Sequence, residues 1–119
     1  MKRVLIIEDN DDNMYMLKFI LEQHNICVLM AITGLDGFDL ALKELPDLIL
    51  MDIQLPDVNG LEVTKMIRNS DIMDKIPIMA ISSYAMTGDK QKALNAGCNA
   101  YLEKPIEPET IMNEILKFL

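Results

Sequence analysis

The sequence predicts a doubly wound α/β domain built on a parallel sheet, and two observations carry that expectation. Short apolar runs recur without a clean period of two, which is how strands read when both faces are covered. Between them lie stretches of helical character, so strands and helices alternate along the chain. Right-handed crossovers then put helices on both faces of the sheet.

The elements follow in order. Arg3 to Ile7 (RVLII) forms the first strand. In the first helix Asn13, Leu17, Ile20, Leu21 and His24 share a face at the i, i+4, i+7 spacing, which makes His24 a structural residue on the inward stripe. Ile26 to Ile32 (ICVLMAI) gives the second strand and Gly34 to Glu44 the second helix. Asp47 to Met51 (DLILM) is the central strand, followed by a helix over Asn59 to Asn69. Ile76 to Ile81 (IPIMAI) and Gly88 to Ala96 supply the fourth pair. Ala100 to Glu103 (AYLE) is a weaker fifth strand, and the last helix, Pro108 to Leu119, opens on a proline where the missing N–H is not needed.

Composition narrows the class. At 119 residues, half of them apolar and a quarter charged, the chain reads as one globular domain over residues 1–119. No apolar run approaches the roughly 18 residues of a membrane span, and MKRVLIIED reaches acids too soon for a secretory signal. Cys27 and Cys98 lack the number and spacing of a disulfide or zinc framework, so a reduced cytoplasmic protein is expected. The net charge of −8 argues against nucleic acid, whose phosphates need Lys and Arg. The ten methionines read as core filler.

In open α/β sheets, ligands bind outside the carboxyl ends of the strands. Strand 1 ends in Glu8 and Asp9, strand 3 in Asp52, strand 4 in Ser82 and Ser83, and strand 5 is followed by Lys104 and Pro105. Strand 2 ends in Ala31, Ile32 and Thr33, with no charge. Three carboxylates on one rim repel each other unless a cation compensates, and an all-oxygen set favours a hard divalent ion such as Mg²⁺. Such a charge balance suits a phosphoryl group, and an aspartate can accept one as an acyl phosphate. Where a P-loop or dinucleotide fingerprint would stand, the chain has EDNDDN. A haloacid-dehalogenase-type phosphatase carries a second acid two residues after its nucleophile; here that residue is Gln54, and a cap domain is missing.

With these residues in place, the chain resembles the receiver domains of response regulators in two-component signalling, from end to end. VLIIEDN, PDLILMDIQLPDVNGLEV, IPIMAISSYAM, GDKQKALNAGCNAYLEKPI and a closing amphipathic helix appear in the family's order. MDIQLP, GLEVTK, AMTGD and GCNAYLEKPI look most like the stand-alone DivK-type regulators. The resemblance implies a flavodoxin-like sheet of order 2-1-3-4-5. It makes Asp52 the phosphoacceptor, served by a phosphohistidine on a histidine kinase or histidine phosphotransfer protein. Asp9 and Asp52 would ligate Mg²⁺ directly (Mn²⁺ being a second ion such a set accepts), with the main-chain carbonyl of Gln54, and Glu8 through a water. Lys104 would pair with the phosphoryl oxygens and Ser82 would close over them. Tyr101 would be the switch aromatic, and the Lys104–Pro105 peptide would be cis. Ser83 departs from the Ala or Gly common at its position, and its side chain can crowd the phosphoryl group.

The resemblance implies a signalling module rather than an enzyme, with slow autodephosphorylation at most. Output would pass through the face of helix 4, strand 5 and helix 5, to which Tyr84, Met86, Ile106 and Pro108 contribute, toward a downstream protein target. Met14, Tyr15 and Phe19 lie off the expected inward stripe of helix 1 and form a candidate docking patch for the phosphodonor. The chain ends about where the fifth helix should, so a single-domain receiver without a nucleic-acid or membrane partner is expected. The alternatives are a phosphatase-like Mg²⁺-dependent hydrolase, or a receiver fragment of a larger hybrid kinase or transcription factor.

Overall fold

The computed structural model describes residues 1–83 and 88–119. Its described residues alternate strictly between strand and helix: β1 (Arg3–Ile7), α1 (Asp11–Glu22), β2 (Cys27–Ala31), α2 (Gly34–Glu44), β3 (Leu48–Asp52), α3 (Gly60–Arg68), β4 (Ile78–Ser82), α4 (Asp89–Ala96), β5 (Ala100–Glu103) and α5 (Pro108–Leu116). All pairings are parallel and the strand order is β2-β1-β3-β4-β5, the doubly wound arrangement expected.

The apolar runs are an alternation read from both sides. Val4, Ile6, Leu48, Leu50, Met79 and Ile81 pack with Leu17 and Leu21 of α1 and Ile111 and Ile115 of α5. Their neighbours Leu5, Ile7, Ile49, Met51, Ile78 and Ala80 pack on the other face with Ala41, Val63, Ile67 and Ala93 of α2, α3 and α4. Each fully buried side chain of this size contributes about 1.5–3 kcal/mol, so a polar residue anywhere along β3 or β4 needs a specific reason.

Helix starts are fixed by side chains in the loops beyond the strands. Asn10 accepts from the Asn13 N–H at 2.9 Å, Thr33 from the Asp36 N–H at 3.1 Å, and Asn59 from the Leu61 N–H at 2.8 Å. Asp57, in the β3–α3 loop, accepts from the N–H groups of Gly34 and Leu35 at 2.8 and 2.9 Å, which ties that loop to the start of α2. The Leu35 and Gly34 N–H groups hold its carboxyl below the usual range.

Two expectations about α1 are corrected. His24 lies beyond the helix, which ends at Glu22, and is exposed, with Nδ1 3.0 Å from the Ile20 carbonyl oxygen. The chain must turn there to enter β2, and Asn25 does so at φ 60°. Met14 is buried, 7% exposed, because it recurs with Leu17 and Leu21 at i, i+3, i+7 on the core stripe. Tyr15 and Phe19 remain outside, 74% and 58% exposed. Elsewhere boundaries shift slightly: β3 and β4 each run on to include Asp52 and Ser82, and α5 stops at Leu116.

The end of the sheet remote from those strand tips is stapled by Arg68. Its Nε donates to the Gly97 carbonyl at 2.9 Å, Nη1 to the carbonyls of Asp74 and Ile76 at 3.0 and 2.8 Å, and Nη2 to Asn99 Oδ1 at 2.9 Å. Gly97 sits at φ +115°, and a Cβ there would meet Arg68 Cγ. Arg68→Met should lower the unfolding free energy by about 2–3 kcal/mol, since it strands several carbonyls that accept from a charged donor. Urea denaturation reads this, and a loss below about 0.5 kcal/mol would show the staple to be dispensable.

Candidate functional site

Sheet register builds the site. Ile6 pairs with Leu50 and Ile7 with Met51, so Glu8 and Asp52 stand level, one residue further along neighbouring strands. Alternation sends both side chains to the α1/α5 face, in phase with Ile6 and Leu50. Both are buried, 2% and 3% exposed, where the apolar pattern would place another Leu. Lys104, just past β5, reaches in from the next edge: Nζ is 2.7 Å from Glu8 Oε1 and 3.6 Å from Asp52 Oδ2. The Asn10 N–H donates to Glu8 Oε2 at 3.3 Å and the Gln54 N–H to Asp52 Oδ1 at 3.1 Å.

One ammonium cannot serve two buried carboxylates equally. Burial pushes the Asp52 carboxyl up first; the hydrogen bond and charge of Glu8 push it further; Lys104 and the Gln54 N–H oppose this, and it comes to about 8. Burial also pushes Glu8 up, but its hydrogen bond with Asp52, Lys104 and the Asn10 N–H outweigh that and hold it below its usual value. The pair therefore titrates as a coupled unit, its shared proton favouring Asp52 while the nearer Lys104 contact falls on Glu8.

The third acid, Asp9, is exposed at the mouth. Carboxylate oxygens of Glu8, Asp9 and Asp52 lie within 4.8 Å of one another. Opposite ligands of a six-coordinate Mg²⁺ are about 4.2 Å apart, so this all-oxygen set fits a hard divalent cation with little adjustment. A second positive charge would also resolve the surplus that Lys104 leaves.

Ser82, at the end of β4, is buried. Its Oγ accepts from Gln54 Nε2 at 3.2 Å, while Gln54 Oε1 accepts from the Ser83 N–H at 3.2 Å. Tyr101 packs against the α2–α4 core, and its buried hydroxyl has no hydrogen-bond partner among the described residues. The Lys104–Pro105 peptide is cis. Gly60 comes so close to β3 that a Cβ would strike the Asp52 carbonyl oxygen, which keeps α3 tight under the acid. Ile106 is half-buried and Pro108 exposed; Tyr84 and Met86 lie outside the described residues. Sequence reading missed the Gln54 side chain and Asp57 as positioning groups. A loop acid two residues before a helix cap was the only signal for Asp57.

Comparison with known proteins turns this geometry into an assignment. The response regulator receiver domain family matches residues 4–116. The chain belongs to that family. The polar-differentiation response regulator DivK of Brucella anthropi is 42% identical over 118 residues, covering 99% of this chain and 96% of the relative. DivK of Brucella ovis is 41% identical over the same length and shares. Among solved structures, the receiver domain of a sensor histidine kinase from Pseudomonas aeruginosa PAO1 aligns with a TM-score of 0.91 at 29% identity, covering 98% of this chain and 96% of that one. The chemotaxis protein CheY4 of Vibrio cholerae aligns at 0.93 and 26% identity, covering 100% and 99%. This chain is thus a two-component response regulator receiver domain, similar to DivK.

The shared proton makes a pH-dependent prediction. The folded-state pKa of Asp52, about 8, stands above its ordinary 3.8, so the folded receiver holds a proton that the unfolded chain releases. This contribution is complete below about pH 4 and is lost as pH rises toward 8. The contribution from Glu8, whose pKa is lowered, is already complete above its ordinary 4.5. Asp52→Asn should therefore exceed the wild type in stability by about 1–3 kcal/mol at pH 8, with a smaller gap at pH 5. Thermal unfolding without divalent cations measures both, and a gap independent of pH would contradict the shared proton.

Proposed function

We propose that Asp52 accepts a phosphoryl group from a phosphohistidine in a Mg²⁺-dependent reaction and that the product switches a protein-binding face. The observation that carries this is a buried strand-end carboxylate flanked by one ammonium and two further acids. In the transfer, a lone pair of an Asp52 oxygen forms the O–P bond as the donor's P–N bond breaks. The electron pair stays on the ring nitrogen, and the ring, protonated on its other nitrogen, leaves as neutral imidazole. Asp9, Asp52 and the Gln54 carbonyl would hold Mg²⁺, with Glu8 acting through a water; Mn²⁺ suits the same oxygens. The ion supplies positive charge that offsets the carboxylates and the phosphoryl oxygens. Support comes from the Pseudomonas relative, whose structure has a magnesium ion coordinated in the active-site cleft.

Lys104 would transfer its contact from Glu8 to the phosphoryl oxygens, and Ser82 would close over them. Tyr101 would answer as the switch aromatic, since its hydroxyl is still to be satisfied. With Gln54 where a phosphatase has its second acid, no carboxylate at that position can activate water, which favours storage over turnover. Tyr15 and Phe19, exposed on α1 just after the acidic pair, suit docking of a histidine kinase or phosphotransfer helix. The free thiols of Cys27 and Cys98 fit a cytoplasmic setting, and no described helix is long and apolar enough to cross a membrane.

The test is intact mass after incubation with Mg²⁺ and acetyl phosphate. One phosphoryl adduct is expected on the wild type, none on Asp52→Asn, and none when EDTA removes the metal. Lys104→Ala should slow the adduct by about tenfold or more. Persistent labelling of Asp52→Asn, or fast multiple turnover on phosphate esters, would overturn the assignment.

A further inference from the structure

We infer that Asp57 sets the affinity of the acidic site for its divalent cation, by clamping the β3–α3 loop to the start of α2. The clamp holds the Gln54 main chain beside the acids. This inference rests on the proposed reading in which the Gln54 carbonyl is a ligand, and it adds what keeps that ligand in place. Asp57 is not among the ligands; it is a positioning residue.

The loop, residues 53–59, is held at its ends by the sheet. The Ile53 N–H donates to the Ile81 carbonyl at 3.1 Å, and the Gly60 N–H to the Ile53 carbonyl at 2.8 Å. Between those ends Pro56 and Asp57 are exposed, and the tie there is to a different element. Asp57 Oδ1 and Oδ2 accept from the N–H groups of Gly34 and Leu35 at 2.8 and 2.9 Å. These residues open α2, whose first N–H groups have no partner within the helix and attract negative charge. Two bonds to one carboxylate are charge-assisted, which strengthens the grip. Val58 completes the seat: a Cβ on Gly34 would strike Val58 Cγ2 and Val63 Cγ2, so the helix start lies directly on the loop and on α3. The helix itself is fixed by the core. Ala41 is fully buried, and a Cβ on Gly37 would strike Ile7, the residue just before Glu8.

A loop freed at its middle samples conformations in which the Gln54 carbonyl is displaced, and ordering it again costs free energy. Cation affinity then falls by the fraction of chains whose loop is competent to bind. Losing bonds of this strength lowers that fraction to between about a third and a tenth, so dissociation constants rise about three- to tenfold. Two neighbours supply the contrast. Thr33 caps the same helix, its Oγ1 accepting from the Asp36 N–H at 3.1 Å. Asp36, exposed in the first turn, carries the same charge as Asp57.

Cation affinity of the unphosphorylated chain tests this, read by electron paramagnetic resonance for Mn²⁺ and by titration calorimetry for Mg²⁺ at one fixed pH. Urea midpoints are measured alongside. Asp57→Asn keeps the shape but offers one uncharged acceptor oxygen; it and Asp57→Ala should each bind both cations about three- to tenfold more weakly. Thr33→Ala loosens the start of α2 but leaves the loop tie, and Asp36→Asn removes the same charge from the same helix end. Both should bind cations like the wild type. A merely structural role for Asp57 predicts a lower midpoint with unchanged affinity, and that result overturns the clamp. An equal loss of affinity in Thr33→Ala or Asp36→Asn overturns it too, by tracing the effect to helix stability or to charge. A wild-type chain that binds neither cation overturns the metal reading itself, whereas wild-type binding retained in Asp57→Asn overturns the clamp alone.

Discussion

Two buried carboxylates, Glu8 and Asp52, share one ammonium, and the rest of the site is arranged around that imbalance. Glu8 directly follows β1 and Asp52 ends β3, neighbouring strands locked in register by the Ile6–Leu50 and Ile7–Met51 pairs. Neither can move apart without disrupting both apolar layers, so the repulsion is relieved chemically instead: by a proton, or by a cation. Lys104 stands closer to Glu8 than to Asp52 and leaves Asp52 as the less compensated of the two. A buried group that is incompletely paired in the resting fold is poorly explained by stability alone, and well explained by a charge that the resting fold does not contain.

The loops around the acids are held in place by short-range polar contacts. Asn10, Thr33 and Asn59 cap the helices that leave the carboxyl edge, and Asp57 ties the β3–α3 loop to the start of α2. Gly60 lets α3 approach β3 at the Asp52 carbonyl. Rigid elements thus fix the acids, while Gln54, a long side chain reaching from β3 to the tip of β4, is half-exposed and held by two neutral hydrogen bonds.

The fold and the acids were legible in the sequence because they rest on repeating constraints. Strands covered on both faces must be apolar throughout, so Glu8, Asp52 and Ser82 stood out as the points where the runs break. Reading α1 from Asn13 gave a stripe that ended on His24; the packed stripe starts one residue later, at Met14, and the helix ends before His24. Helical periodicity tolerates a one-residue shift over so few turns, and packing against α5 and the sheet selects the register. The side-chain contacts of Gln54, Asp57 and Arg68 were not legible, because most of their partners are separated by long stretches of chain and follow no period.

The alternation that positions the acids also separates them from the groups that would report on them. Asp52 and Glu8 continue the α1/α5 face, whereas Ser82 follows Ile78 and Ala80 on the α2–α4 face, where Tyr101 also packs beside Ala80. The sheet between the two faces is apolar and close-packed, so a change of charge at Asp52 has no polar route through it. The route is around the carboxyl edge, where strands end and side chains can turn from one face to the other. Gln54 runs along that edge, with its main chain on Asp52 and its amide on the tip of β4. The tip of β4 is therefore where a change of charge at Asp52 can be felt on the other face of the sheet, and Ser82 is the residue there whose Oγ already accepts from the Gln54 amide.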